Sequence, residues 1–204
     1  MDVALGPLIS LVIYSSRKPR RELIIDYTLV GLVQIAALVY GVFTLSVARP
    51  VFVVAVPDRL EVVTAIEIEE SDLAAANPAY RRLSWTGPKL AAVQMPTDPK
   101  EREEVMMAAV MGKDVQMMPK YFRPYATGAA DLDRISQPLD SLPRRDAAEK
   151  DRVERAIAAA DAPADMLRWV LVHHRFGFAV ALIDAKTRRP VQYVMMDPTE
   201  PPGS

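Results

Sequence analysis

The sequence predicts a membrane-anchored α+β protein, with N-terminal transmembrane helices followed by a mixed α/β periplasmic domain that ends in an antiparallel hairpin. Three observations predict this class. The densest apolar runs lie near the start of the 204-residue chain, within 1–14 and 23–56. Four Lys and Arg residues stand between them, at 17–21. The remaining chain alternates strand-like and helix-like segments at an ordinary charge density.

The chain opens on the apolar segment MDVALGPLISLVIY. As a helix it reaches roughly 21 Å, which is short of the ~30 Å hydrocarbon core of a bilayer. We therefore interpret residues 1–15 as a partial transmembrane helix that lacks its first turns, either because the chain is truncated or because its start is placed too late. Residues 16–22 are predicted to form a basic cytoplasmic loop.

Residues 23–47 are predicted to form a transmembrane helix, because they contain no Lys, Arg, Glu or Pro and reach roughly 37 Å. A cleaved export signal is one alternative, but the apolar core of a signal is usually only about 7–15 residues long. A buried helix of a soluble protein is the other, but a helix apolar on all faces needs a larger protein around it. Lys and Arg stay on the cytoplasmic side of membranes. The basic residues at 17–21 therefore place residues 48–204 in the periplasm of a Gram-negative cell.

One face of this helix collects small and polar residues. At 100° per residue, Asp26, Gly31 and Gln34 fall on the same side, a pattern that favours packing against a partner helix in lipid. Asp26 has two interpretations. It is either a functional acid that contacts a cationic group of a partner or, as we favour, a solvated side chain at headgroup depth.

The periplasmic domain has a clear order of predicted elements. Strands are expected at 50–56 and 59–68, joined by a Pro57-Asp58 turn, and again at 88–96. A short helix should end before Pro78. Asp98 and Pro99 should begin a helix that ends at Gly112. An aromatic loop, a helix at 146–161 and two or three antiparallel strands at 166–198 complete the domain.

Composition excludes several classes of function. The chain has no cysteine, which removes disulfides, thiolate metal sites and cysteine nucleophiles. From residue 50 onward, 20 Lys and Arg stand against 23 Asp and Glu, so no basic field favours nucleic acid. No nucleophile elbow, dinucleotide fingerprint or phosphate loop occurs. We therefore expect no enzyme activity, no metal and no cofactor.

Two clusters have weak chemical interpretations. His173 and His174 are adjacent, so on a strand they point to opposite faces and do not easily bind one metal. A polar pair near a strand end is the favoured interpretation. For the methionine cluster, packing in the core is the default, and a plastic surface for a partner segment or a soft-metal site are the alternatives. Its members are Met106, Met107, Met111, Met117 and Met118.

Several short motifs together resemble the TfpX/TfpZ-type type IV pilin accessory proteins. They are DVALGPLISLVIY with the basic segment and second apolar run, ARPVFVVAVPDRLEVVTAIEI, LSWTGPKLAAVQMP and VALIDAKTRRPVQYVMMDP. The resemblance covers nearly the whole chain. Members of this family usually have one more hydrophobic helix before the segment that opens this chain. In the KTRR turn, a glycine is expected after the threonine, but Arg188 stands there.

The resemblance implies a chaperone-like inner-membrane protein that assists or modulates pilin stability and pilus assembly. Its expected partners are membrane lipid and a type IV pilin, which a long apolar helix holds in the inner membrane with its head in the periplasm. The α-helical face of Asp26, Gly31 and Gln34 would meet the pilin helix. Candidate contacts in the domain are Trp85, Gly87 and Pro88 in the WTGP turn and Tyr121, Phe122, Arg123 and Tyr125 in the aromatic loop. For both groups, packing of the loop against the core is the alternative. A membrane-anchored periplasmic sensor or binding module is the alternative function.

Overall fold

The computed structural model describes residues 19–200, and the chain divides into two compact units between Arg49 and Pro50. In the first unit, helix α1 spans Arg20–Ala48 and has no buried residue. The backbone turns extended at Arg49, as expected for a residue that precedes proline. The hydroxyl groups of Thr28 and Thr44 donate to carbonyls four residues earlier, so these polar atoms are satisfied within the helix.

This helix confirms the predicted apolar segment, and its length and composition are sufficient to cross a membrane. It begins three residues before the predicted range 23–47, inside the segment predicted as a basic loop. The partial helix predicted at 1–15 lies outside the described residues, as do Arg17 and Lys18 of the basic cluster.

Within residues 50–200, the second unit forms eight β-strands and four further α-helices. The strands are β1 (Pro50–Ala55), β2 (Leu60–Thr64), β3 (Lys89–Val93), β4 (Phe122–Pro124), β5 (Gln137–Pro138), β6 (Leu167–His174), β7 (Gly177–Asp184) and β8 (Pro190–Val194). The helices are α2 (Glu70–Ala75), α3 (Pro99–Val110), α4 (Ala129–Ile135) and α5 (Ala147–Ala158). Short 3₁₀ turns lie at Ala65–Glu67, Val115–Met117, Pro119–Tyr121, Tyr125–Gly128, Leu139–Ser141 and Ala164–Met166.

The strands form one mixed sheet in the order β4-β3-β1-β2-β6-β7-β8, with β5 paired to β6. The pairs β1–β3 and β2–β6 are parallel, and the other pairs are antiparallel. As a result, β1 and β3 begin, and β2 and β6 end, at the same edge of the sheet. We call this the Pro50 edge. The Pro57-Asp58 turn and the end of β3 lie at the opposite edge.

Both faces of the sheet are covered, which explains why β1 reads as an unbroken apolar run. Helix α4 packs Leu132 onto one face, in a cluster that includes Val53 and Val170. Helix α5 packs Val153 against Trp169 and Leu182 of the other face. Further along that second face, three aromatic rings meet edge to face, with centroid distances of 5.1–6.1 Å. These rings belong to Phe52, Tyr80 and Phe122.

Most of the predicted elements are present, and the predicted antiparallel pairing of the C-terminal strands is confirmed. Asp98 caps α3 through a 3.0 Å bond from the Glu101 amide, with Pro99 at its first position. The C-terminal segment forms three antiparallel strands, β6 to β8. The sequence did not indicate β4, α4 or the two parallel pairs.

Candidate functional site

The two histidines make separate contacts, His173 with the side chain of Glu61 in β2 and His174 with the backbone of its own turn. No group of three or more potential metal-binding His, Asp or Glu residues occurs within residues 19–200. His173 Nδ1 lies 2.9 Å from Glu61 Oε2, and Arg59 Nε donates to Glu61 Oε1 at 2.5 Å. His174 Nδ1 instead accepts the amide of Phe176.

The buried carboxylate of Glu61 therefore ties β2 to β6, where the two residues also pair in register. Sequence reasoning missed Glu61. It is separated from its histidine partner by 112 positions, and only the parallel pairing of these strands brings the two together.

Asp26, Gly31 and Gln34, the residues predicted to share one face, all lie within the single continuous helix α1. Gly31 and Gln34 are three residues apart within Arg20–Ala48, and Asp26 lies two turns before Gln34. Apolar side chains around the helix are exposed, among them Ile35, Leu38 and Phe43. An apolar surface of this size needs lipid or a protein partner to cover it.

The WTGP turn lies immediately before β3. Trp85 is highly exposed and Pro88 is exposed. Gly87 has a φ of +126°, a conformation that side chains disfavour, so glycine suits this position. The turn therefore presents the indole on the outside of the second unit.

Tyr121 and Arg123 line a cavity of roughly 390 Å³ at the opposite edge of the sheet. Tyr121 donates its hydroxyl hydrogen to Glu101 Oε1 at 3.0 Å, and Lys120 Nζ lies 4.9 Å from the centre of its ring. Arg123 Nε donates to Gln94 Oε1 at 3.1 Å. The other lining residues are Ala75, Met95, Pro96 and Thr97.

The chemistry of this cavity suits hydrogen bonding rather than acid-base catalysis. Burial, together with the hydrogen bond to Glu101, raises the pKa of Tyr121 to about 12. The phenol thus stays protonated and donating at neutral pH. The side chains of Gln94, Glu101 and Arg123 offer both donors and acceptors, as the backbone of a peptide or a small polar ligand requires.

Tyr125 and Phe122 do not join this cavity. Tyr125 packs on the face covered by α4 and donates its hydroxyl to the Arg188 carbonyl at 3.0 Å. Burial raises the pKa of Tyr125 well above its usual range. Arg188 occupies the position where glycine was expected and has a φ of +60°. Its guanidinium is fixed by two bonds to Asp133.

The predicted aromatic loop is therefore divided among three places. Tyr121 and Arg123 meet at the cavity. Phe122 lies in the aromatic cluster on one face of the sheet, and Tyr125 packs on the opposite face, which α4 covers. The arrangement fits loop packing against the core for Phe122 and Tyr125.

The methionine cluster is also divided, and the default prediction of core packing is wrong for three of its members. Met106, Met107 and Val110, in the second half of α3, are exposed, as is Met111, which directly follows the helix, whereas Met118 is buried. Val105 and Ala108 supply the inward face of the helix. We call the four exposed residues the methionine face. Because Met side chains adapt to varied shapes, it suits contact with an apolar partner segment.

Comparisons with known proteins return fimbrial assembly proteins of Dichelobacter nodosus. The serogroup I protein is 30% identical over 161 residues, which are 78% of this chain and 63% of that protein. The serogroup E1 protein is 29% identical over the same lengths. A protein of serogroups C1 and C2 is 34% identical over 68 residues, 33% of this chain and 52% of that protein.

The chain thus spans less than two thirds of the length of these relatives. No protein-family model matches the chain. No solved structure matches it.

Proposed function

We propose that this protein assists type IV pilus assembly from the bacterial inner membrane, as a chaperone-like pilin accessory factor of the TfpX/TfpZ type. The observation that carries the proposal is the similarity to fimbrial assembly proteins over 161 residues. The matched length includes most of the described part of the chain, so it involves more than a shared apolar helix. The exposed apolar surface of α1 supports a membrane location.

In this account, α1 anchors the protein and meets the transmembrane helix of the pilin. Gly31 lets a second backbone approach closely, and Gln34 supplies a hydrogen-bonding group on the same side. Asp26, close to the start of α1, lies at headgroup depth, where it is accessible to a cationic group of the partner. The domain after Arg49 then lies in the periplasm beside the pilin head.

Within the domain, the methionine face is our leading candidate for contact with pilin. Its four exposed side chains occupy one side of α3, opposite the residues that pack inward. Earlier on the same outward side, Lys100 and Glu103 are exposed and polar. An apolar patch bordered by charges is typical of a surface that binds another protein.

A second candidate function is a periplasmic binding module, and the cavity beside Tyr121 favours it. Its volume of roughly 390 Å³ lies within the range of small-molecule sites, ~300–1,000 Å³. This alternative predicts binding of a polar ligand that Arg123→Ala weakens, with no change in surface pili when the gene is deleted.

Site-specific photo-crosslinking in cells tests the accessory function. A photoreactive amino acid at Gln34 or Met111 should form crosslinks to pilin. The same amino acid at Glu154, on the exposed side of α5, serves as the matched control and should not. If the protein is present in the inner membrane and neither position captures pilin, direct assistance to pilin is refuted.

A further inference from the structure

We propose that the Pro50 edge of the second unit rests on the lipid headgroup surface through three exposed apolar tips. The tips are Ile66, Trp85 and Phe176, which are 56%, 75% and 88% exposed. This inference rests on the proposed membrane location of α1. It assigns Trp85 to lipid rather than to pilin.

The strand register places the three tips along one row. Pro50 pairs with Thr64 across β1 and β2, so the turn that holds Ile66 begins at this level. Phe52 pairs in parallel with Lys89, which puts the WTGP turn beside the start of β1.

The β6–β7 turn completes the row. Glu61 pairs with His173 in parallel strands, and His174 pairs with Gly177 across the turn, so Phe176 lies in the turn just beyond the level of Val62, at the same edge. Four adjacent strands, β3, β1, β2 and β6, thus contribute to the row. Since neighbouring strands lie ~4.8 Å apart, the row is roughly 14 Å wide.

Each tip is held outward by its own turn rather than by a loose loop. Both the amide and the hydroxyl of Thr64 donate to Glu67 Oε2, at 2.7 and 2.5 Å, and this closes the turn around Ile66. Gly87 follows Trp85 with a φ of +126°, and Gly177 follows Phe176 with a φ of +132°. The three turns thus hold large apolar side chains in an exposed position, and a surface that faces only water gains nothing from this arrangement.

Chain connectivity and side-chain chemistry identify lipid as the occupant. Pro50 directly follows Arg49, which caps the 29-residue apolar helix, so this is the edge at which the chain passes from α1 into the second unit. Tryptophan is enriched at membrane interfaces, where its amphipathic ring sits among headgroups. Arg82 and Arg175 are exposed next to the tips in sequence and can pair with lipid phosphates.

The chain carries its own probe for this contact, because Trp85 and Trp169 are its only tryptophans. Trp169 is buried and donates its indole hydrogen to Ser141 at 3.0 Å. The full chain is reconstituted in phosphatidylcholine and phosphatidylglycerol vesicles with and without brominated acyl chains. Bromine quenches only those indoles that reach the bilayer. We expect part of the wild-type fluorescence to be quenched and this part to be lost in Trp85→Phe.

Two further variants, both in the Trp85→Phe background, locate the contact. Phe176→Trp moves the probe to a second tip and should restore quenching. Thr187→Trp places it in the β7–β8 turn at the opposite edge and should not. If neither Trp85 nor a tryptophan at 176 is quenched, or if Thr187→Trp is quenched equally, the lipid contact is refuted.

Extraction of the vesicles with carbonate separates this inference from the function on which it rests. If α1 is extracted, the membrane location and the lipid contact both fail. If α1 stays inserted and Trp85 is unquenched, only the lipid contact fails. Quenching by aqueous iodide that disappears only when pilin is added would assign Trp85 to pilin and also refute the lipid contact.

Discussion

Replacing Met107 and Met111 with glutamine should weaken pilin binding about 30-fold or more and leave the fold intact. Full burial of a methionine side chain is worth about 1.5–3 kcal/mol. These side chains are 61% and 81% exposed, so covering the exposed part of both contributes about 2–4 kcal/mol. Since about 1.4 kcal/mol corresponds to a tenfold change in the dissociation constant, the lower value already gives about 30-fold.

The choice of glutamine isolates the surface effect. Gln and Met are similar in length and have nearly equal helix propensities, so α3 should remain folded. The dissociation constant is measured with purified pilin and the full chain in nanodiscs, and circular dichroism checks the fold. The double change Lys100→Gln and Glu103→Gln, earlier on the same outward side of α3, is the matched control and should bind as wild type. A folded Met107→Gln/Met111→Gln protein that binds pilin with wild-type affinity would refute the role of the methionine face.

Three other changes give distinct outcomes. Gly31→Leu should lower surface pilin in immunoblots of sheared pili because it blocks close helix approach, whereas Ala36→Leu, on the opposite side of α1, should not. The Arg145 guanidinium holds the pKa of Glu149 below its usual range in the folded protein. The stabilisation from this ion pair is therefore complete above about pH 4.3, the pKa of glutamate in an unfolded chain. It is lost as the pH falls through the lower pKa that Glu149 has in the folded protein. In thermal unfolding, wild type should therefore lose more stability on acidification below that pH than Glu149→Gln does. Arg188→Gly should leave the free energy of unfolding within about 1 kcal/mol of wild type, because relief of its φ of +60° offsets the lost exposed ion pair. In urea unfolding, Arg188→Val should be less stable than Arg188→Gly by about 1–3 kcal/mol, because a branched side chain is disfavoured at this φ and glycine is not. Equal stability of the two variants would contradict this reasoning about the backbone.

Local pattern was enough to predict those elements whose signals are local. The absence of Lys, Arg, Glu and Pro from residues 23–47 defined most of α1, and Asp98 with Pro99 marked the start of α3. The β-branched residues within 50–56 and 59–68 marked β1 and β2, which lie in the middle of the sheet. These features depend on neighbours a few positions away, which the sequence displays directly.

Features that depend on distant partners could not be predicted. The pairing of Glu61 with His173 and the row of exposed tips both follow from the parallel register of strands far apart in sequence. On α3, residues 105–111 are all apolar, so their periodicity does not reveal which side faces inward. The contacts of Val105 with the core decide this, and they leave the methionines outside.

The division of the aromatic loop has a similar cause. Consecutive side chains of β4 and its flanking turns point to different faces of the sheet, so closeness in sequence does not bring them to one surface. Tyr121 and Arg123, two residues apart, both line the cavity, whereas Phe122 between them packs in the core.

Assistance to pilus assembly is tested most directly by immunoblots of total cellular pilin and sheared surface pilin in a strain that lacks this gene, with a complemented strain as control. We expect at least one of the two pools to change and complementation to restore it. Loss of total pilin would indicate stabilisation of the subunit, and loss of surface pilin alone would indicate a role in assembly. Unchanged amounts in both pools would contradict the proposed function.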